Sequence, residues 1–251
     1  MKVKLKKYVL LSLFILATLT AFGAEQPSAQ AFLERARNPK SASTYGMFVG
    51  VLQHRRRGSE PQEMPIYFGI VIENDMTMGR VLVDGRESYT IRQVKKDGQE
   101  GTGFDRDPRD SAILDQMGLR VSDLTMSFLH YKLVRELDGT ILSTVAPCRV
   151  LLLESPDNQP GGKEFVKVYL EKEHAFPLRA EFFRSTDDKK PFRMMEANGF
   201  TKKNDLYYAK TIVIEGPGWR TKVDFDSNTA AVGLYNRSIP PGNILYPELK
   251  K

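Results

Sequence analysis

The chain has 251 residues, 41% of them hydrophobic and 27% charged. That is too apolar for a disordered chain and long enough for one large domain. Its 37 basic against 31 acidic residues give a net charge of +6, but four of the lysines fall in the first 23 residues; the remaining 33 against 31 remove the electrostatic case for a nucleic-acid partner.

Those first residues read as a secretory leader. Lys2, Lys4, Lys6 and Lys7 precede an apolar run from Val9 to Leu19, and Ala21-Phe22-Gly23 places small residues where a signal peptidase needs them. The expected organisation is a signal peptide over 1–23 and a single domain over 24–251, exported to the periplasm. The apolar run is short for a membrane-spanning helix, so an uncleaved anchor is the lesser alternative. Cys148 is the lone cysteine. It leads into Val150-Leu151-Leu152-Leu153, so we expect a buried thiol and no internal disulfide.

After the leader, Ala29 to Arg37 reads as a short helix with Ser28 as its cap. Strands follow. In the first, Tyr45, Met47, Val49 and Val51 share one face, and His54-Arg55-Arg56-Arg57-Gly58-Ser59 makes a basic connection. In the second, Ile66, Phe68, Ile70 and Ile72 alternate with Tyr67, Gly69 and Val71. Both faces are apolar, so this strand should be central or covered on its outer side. Arg80 to Val83 and Tyr89 to Val94 pair across the turn dipeptide Asp84-Gly85. Lys95 to Gly103 is polar and glycine-containing and reads as a loop.

Helical signals interrupt the strands. Asp107 and Pro108 suit a helix start, Ile113, Leu114 and Met117 form its buried side, and Gly118 stops it. A second helix capped by Ser122 would carry Leu124, Phe128 and Tyr131 on one face. Two amphipathic helices inside a β chain pack most economically across the sheet's apolar side.

From Cys148 to Phe225 the alternation resumes. Val166, Val168 and Leu170 oppose Phe165, Lys167 and Tyr169; Leu178, Ala180 and Phe182 oppose Arg179, Glu181 and Phe183; Trp219, Thr221, Val223 and Phe225 oppose Arg220, Lys222 and Asp224. Short turn clusters separate the runs, so sequential strands should pair as antiparallel hairpins. The tail from Ile239 to Pro247 is too proline-rich for regular structure.

Catalytic and metal signatures are missing. His54, His130 and His174 lack metal-ligand spacing, and no nucleophile-elbow or phosphate-loop pattern occurs. Asp224 and Asp226 share a strand face, but strand acids before a turn are ordinarily solvated. No enzyme, cofactor or metal site is expected.

The stretch Gly118-Leu119-Arg120-Val121-Ser122-Asp123-Leu124-Thr125-Met126-Ser127-Phe128 resembles the helix motif of LolA-like proteins of outer-membrane lipoprotein sorting. The likeness continues through Pro147 to Leu153, Val166 to Phe182 with its Pro177-Leu178-Arg179, and Arg220 to Phe225. It departs at Leu170-Glu171, where many members carry a Trp-Ile-Asp run. The resemblance implies a mainly β fold: a half-open, strongly curved antiparallel barrel of about eleven strands, with helices lidding an apolar concave side. It also implies a periplasmic carrier of lipid or lipoprotein acyl chains, with membrane-bound donor and acceptor proteins as partners. The alternative is an envelope sensor or interaction module that uses the same fold without lipid transport. On this reading the cavity and lid candidates are Met47, Phe68, Ile70, Leu124, Phe128, Val168, Phe182, Trp219 and Val223.

Overall fold

The computed structural model describes residues 26–37, 43–73, 76–96, 99–106, 113–142, 146–157, 162–236 and 238–247. The leader and the Asp107-Pro108 helix start lie outside these residues. Among the described residues, the strands form one antiparallel sheet. The first half runs β1 (Thr44–Arg56), β2 (Gln62–Glu73), β3 (Met76–Val83), β4 (Glu87–Lys96) and β5 (Gln99–Arg106). The second half runs β6 (Lys132–Leu142), β7 (Ala146–Glu154), β8 (Phe165–Glu171), β9 (Pro177–Phe183), β10 (Arg193–Lys203), β11 (Leu206–Gly216) and β12 (Trp219–Phe225). A short β13 (Ala231–Leu234) also pairs with β1.

Each half is a meander of sequential hairpins, as the short turns require. Asp84 and Gly85 both take positive φ, 52° and 64°, in a turn closed by the Arg86 N–H donating to the Val83 carbonyl at 3.0 Å. The halves join where β1 pairs with β12, so the order across the sheet is β5-β4-β3-β2-β1-β12-β11-β10-β9-β8-β7-β6. β5 and β6 stand at opposite edges, and the curved barrel stays open. Between them the chain crosses the concave side through α2 (Ile113–Gln116), α3 (Val121–Leu124) and a 3₁₀ turn (Ser127–His130). A further helix, α1 (Ala29–Arg37), buries Phe32 and Leu33 beside them.

The concave face is one continuous hydrophobic core. Leu52, Val81, Leu151, Val168, Phe182 and Val223 meet Leu114, Met117, Leu124 and Phe128 of the crossing segment. The outer face is mostly polar. Arg179 donates to Glu196 at 2.8 Å, Tyr169 to Glu181 at 2.9 Å, and Thr211 to Asp224 at 2.6 Å. Apolar side chains occur there too, one group of them under a helix. Val71 packs with Tyr235 and Ile244, supported by Tyr45, Met47 and Met78. That helix, α4 (Pro241–Leu245), covers the group, and the Tyr67 hydroxyl donates to the Ile244 carbonyl. Gly69 makes the approach possible, because a Cβ there would collide with the same carbonyl. The two-sided apolar character of β2 is thus explained by an outer cover.

Several expectations need correction. Met47 lies on the outer face, not the concave one; the inward positions of β1 are Gly46, Phe48, Gly50 and Leu52. The expected loop from Lys95 to Gly103 instead contains the end of β4 and the start of β5, an edge strand held by backbone pairing. The proline-rich tail does form a helical turn, because a proline tolerates the first helical position. The second helix is not continuous: Met126 takes a left-handed φ of 52° between α3 and the 3₁₀ turn. The sequence reading also assigned nothing to β6, whose bulged pairing and largely exposed residues hide the alternation.

Candidate lid and ligand-facing site

The crossing segment is fastened to the sheet by polar groups that its own sequence places. Gly118 ends α2 with a left-handed φ of 68°, which lets its N–H reach the Asp115 carbonyl and the Leu119 N–H reach the Leu114 carbonyl. The Trp219 ring lies against both Gly118 and Gly216, where any Cβ would clash with it. Arg120 then opens α3, and its backbone N–H donates to the Asp123 carboxylate at 2.6 Å. Arg120, not Ser122, therefore occupies the capping position, with the acid three residues on doing the satisfying.

Asp123 is only 1% exposed. It is paired by Arg193 of β10, whose guanidinium donates to both carboxylate oxygens, one bond measuring 2.8 Å, and to the Gly118 carbonyl at 3.2 Å. Arg193 lies over the Phe182 ring at 5.0 Å. Arg120 reaches the buried Glu164 at 2.7 Å, and Tyr131 donates to the same carboxylate oxygen at 3.3 Å. Glu164 is held in turn by Ser155, whose hydroxyl accepts its N–H at 2.9 Å. Two acids on separate elements are thus each matched by an arginine, as burial of charge requires.

A third latch lies at His54. Arg56 donates to His54 Nε2 at 3.2 Å, so Nδ1 carries the proton and donates to Thr221 Oγ1 at 2.8 Å. The Thr221 hydroxyl donates onward to the Met117 carbonyl, and Arg56 also reaches the Gln116 carbonyl at 2.6 Å. Burial, with the neighbouring Arg56 charge, lowers the His54 pKa from its ordinary 6.5, outweighing the bond network toward Met117. The unfolded chain therefore binds the proton more readily than the folded one. This part of the stability is fully present above pH 6.5 and is lost as pH falls from there through the folded value. We expect wild-type melting temperatures to drop on acidification below that point more steeply than those of His54→Gln, in melts taken at half-unit pH steps. Parallel curves would remove His54 from the latch.

Between the latches opens a cleft of about 420 Å³, lined by Asp115, Gly118, Leu119, Arg120, Phe192, Arg193, Pro217 and Trp219. Of the sequence-derived candidates, Phe68, Leu124, Phe128, Val168, Phe182 and Val223 are buried together in the concave core, and Ile70 and Trp219 pack half-buried against it. Phe128 meets Phe182 edge-on at 5.6 Å. Met47 alone is on the wrong side. Reading the sequence missed Arg193, Glu164 and His54. Arg193 had a usable signal: it shares the inward parity of Met195 and Ala197, where an arginine has to find a buried acid.

The acid pair Asp224 and Asp226 serves structure. Burial would raise the Asp224 carboxyl, but hydrogen bonds from Lys222 and Thr211 hold it below the ordinary range. Asp226 accepts the Asn228 N–H at 2.9 Å in the following turn. Among the described residues, Glu171, Glu173 and His174 bring ligand atoms within 4.8 Å of one another. The Glu171 carboxylate is already engaged there, accepting the N–H groups of Glu173 and His174 at 2.7 and 2.6 Å. It closes the β8–β9 turn.

No family model and no curated protein sequence matches the chain. Solved structures do. A DUF1329 family protein from Desulfovibrio piger aligns with a TM-score of 0.58 at 10% identity, over 88% of this chain and 97% of that one. A putative outer membrane lipoprotein-sorting protein domain from Vibrio parahaemolyticus gives 0.57 at 14%, over 89% and 97%. A LolA superfamily protein from Nitrosomonas europaea gives 0.50 at 13%, over 88% and 99%. The open, lidded sheet is thus the LolA-like fold.

Proposed function

From the premise of a LolA-like fold, we propose that this protein is a periplasmic binder or carrier of acyl chains, from lipoproteins or another apolar lipid. The observation that supports it is how the concave face is covered. The segment over it is fastened by side chains: Arg193 to Asp123, Arg120 to Glu164, and Thr221 and Arg56 to the carbonyls of Met117 and Gln116. Such a cover can release the apolar face locally while the backbone ladder of the sheet stays intact. The driving force for a guest is removal of alkyl surface from water, about 0.8 kcal/mol per buried methylene. Membrane-bound donor and acceptor proteins are the partners this role requires. Catalysis has no comparable support, since the Asp224 and Asp226 carboxylates are spent on the sheet and its turn.

Delipidated protein should bind a fluorophore on an acyl chain, and native mass spectrometry of the purified protein should find a lipid. Empty results from both at high protein concentration would end the carrier reading. The edge-on packing of Phe128 on Phe182 favours a second reading, an envelope sensor or interaction module with a filled interior. A recurrent protein partner in envelope crosslinking, without lipid, would select it.

A further inference from the structure

The concave face is not equally covered along its length. Beneath the crossing segment, Leu52, Val81, Ile214 and Val223 have no exposed surface at all. Toward the opposite end, Phe48, Phe68, Leu206, Tyr208 and Val232 each keep between 5% and 9%. The sheet's apolar face is therefore more thinly covered at the end away from the latches.

Four rings gather there. The Phe48 ring centre lies 5.2 Å from Tyr208, 5.3 Å from Phe225 and 6.0 Å from Phe68. Among these hydrocarbons the Tyr208 hydroxyl is buried and makes no hydrogen bond. Buried phenols in folded proteins normally find a partner. Two other polar tips of this rim are committed, the Lys203 ammonium to the Ala230 carbonyl and the Asn204 amide to the Val232 carbonyl at 2.7 Å.

We propose that Tyr208 is the polar contact of a ligand site at this thinly covered end, where its hydroxyl donates to the carbonyl oxygen of an acyl ester or amide. The hydrocarbon chain lies among Phe48, Phe68 and Phe225 at that end. The head group stays there too. An uncharged carbonyl fits better than a free carboxylate, because the Lys203 ammonium is already committed and a buried charge without a partner is costly. The inference rests on the acyl-binding reading and deepens it.

The test compares two fluorescent lipids that differ only in linkage, a diacyl ester and its dialkyl ether, on wild type and on Tyr208→Phe. Wild type should prefer the ester by about fivefold, the worth of one neutral hydrogen bond in a dry site. Tyr208→Phe should bind both alike, at the ether's affinity. Its urea midpoint should be no lower than wild type, because the hydroxyl has no protein partner to lose. Equal affinities in wild type, or an ester preference that survives in Tyr208→Phe, would overturn the proposal while leaving the carrier reading intact. A clearly lower midpoint would also overturn it, by revealing a protein partner for the hydroxyl. Failure of wild type to bind either lipid would overturn both readings.

Discussion

Arg193→Ala should destabilise the protein by about 3–5 kcal/mol, the usual cost of leaving a buried charge without its partner. The side chains of Arg193 and Asp123 are 4% and 1% exposed, so solvent cannot replace the lost guanidinium. Among the described residues, the Arg120 N–H would remain on the Asp123 carboxylate. The same truncation strips the Gly118 carbonyl of a donor and the Phe182 face of its cation. Adding Asp123→Asn to Arg193→Met removes the charge that the arginine would otherwise orphan. That double variant should therefore cost less than the sum of its singles. Urea melts of Arg193→Ala, of the two singles and of the double variant decide the matter. An Arg193→Ala midpoint equivalent to less than about 1 kcal/mol of loss would show that the pair is solvated and does not hold the cover.

Phe182→Ala should cost about 3–5 kcal/mol, and Phe128→Ala should fall in the same range. Had the space under the cover been empty, Phe128 would have touched few neighbours and been cheap to remove. Instead it is 3% exposed and stands edge-on to Phe182, with ring planes 86° apart. Truncating either ring opens a hole that the surrounding strands cannot close. Phe182 should be the costlier of the two, because Arg193 and Arg120 also lie over its ring, at 5.0 and 5.8 Å. A double-mutant cycle should show coupling of about 0.5–1.5 kcal/mol between the rings. Independent, additive losses would mean that the two pack against different surroundings. A small loss at Phe128 alone would restore the picture of a hollow interior.

Parts of the candidate site were legible because their signals are local. The alternation of Val166, Val168 and Leu170, or of Thr221, Val223 and Phe225, places the concave core correctly from the pleat alone. Gly118 announced the end of α2 because few other residues accept its backbone angle. β1 misled because both its faces carry apolar side chains. Its inward face is diluted by Gly46 and Gly50, which looks weaker than Tyr45, Met47, Val49 and Val51. Those glycines are there for close approach: a Cβ at Gly50 would meet the Asp224 carbonyl, and one at Gly46 would meet the Phe48 ring. β5 and β6 misled in the other direction, since an edge strand can be held by backbone pairing with little apolar alternation to betray it.

By itself the sequence determined a large antiparallel sheet with one apolar face, interrupted by a helical segment to cover it. Hairpin turns and side-chain alternation are properties of neighbouring residues, and they survive in the one-dimensional pattern. The tertiary structure decided what that pattern leaves undetermined: which face of β1 turns inward, what covers Val71, and why the second helix breaks at Met126. It also decided that Asp123 meets Arg193, that His54 through Thr221 holds the Met117 carbonyl just past α2, and that the Tyr208 hydroxyl has no hydrogen-bond partner. Each of these depends on groups far apart along the chain being brought within hydrogen-bonding or van der Waals reach. Only the curvature and register of the whole sheet set those distances.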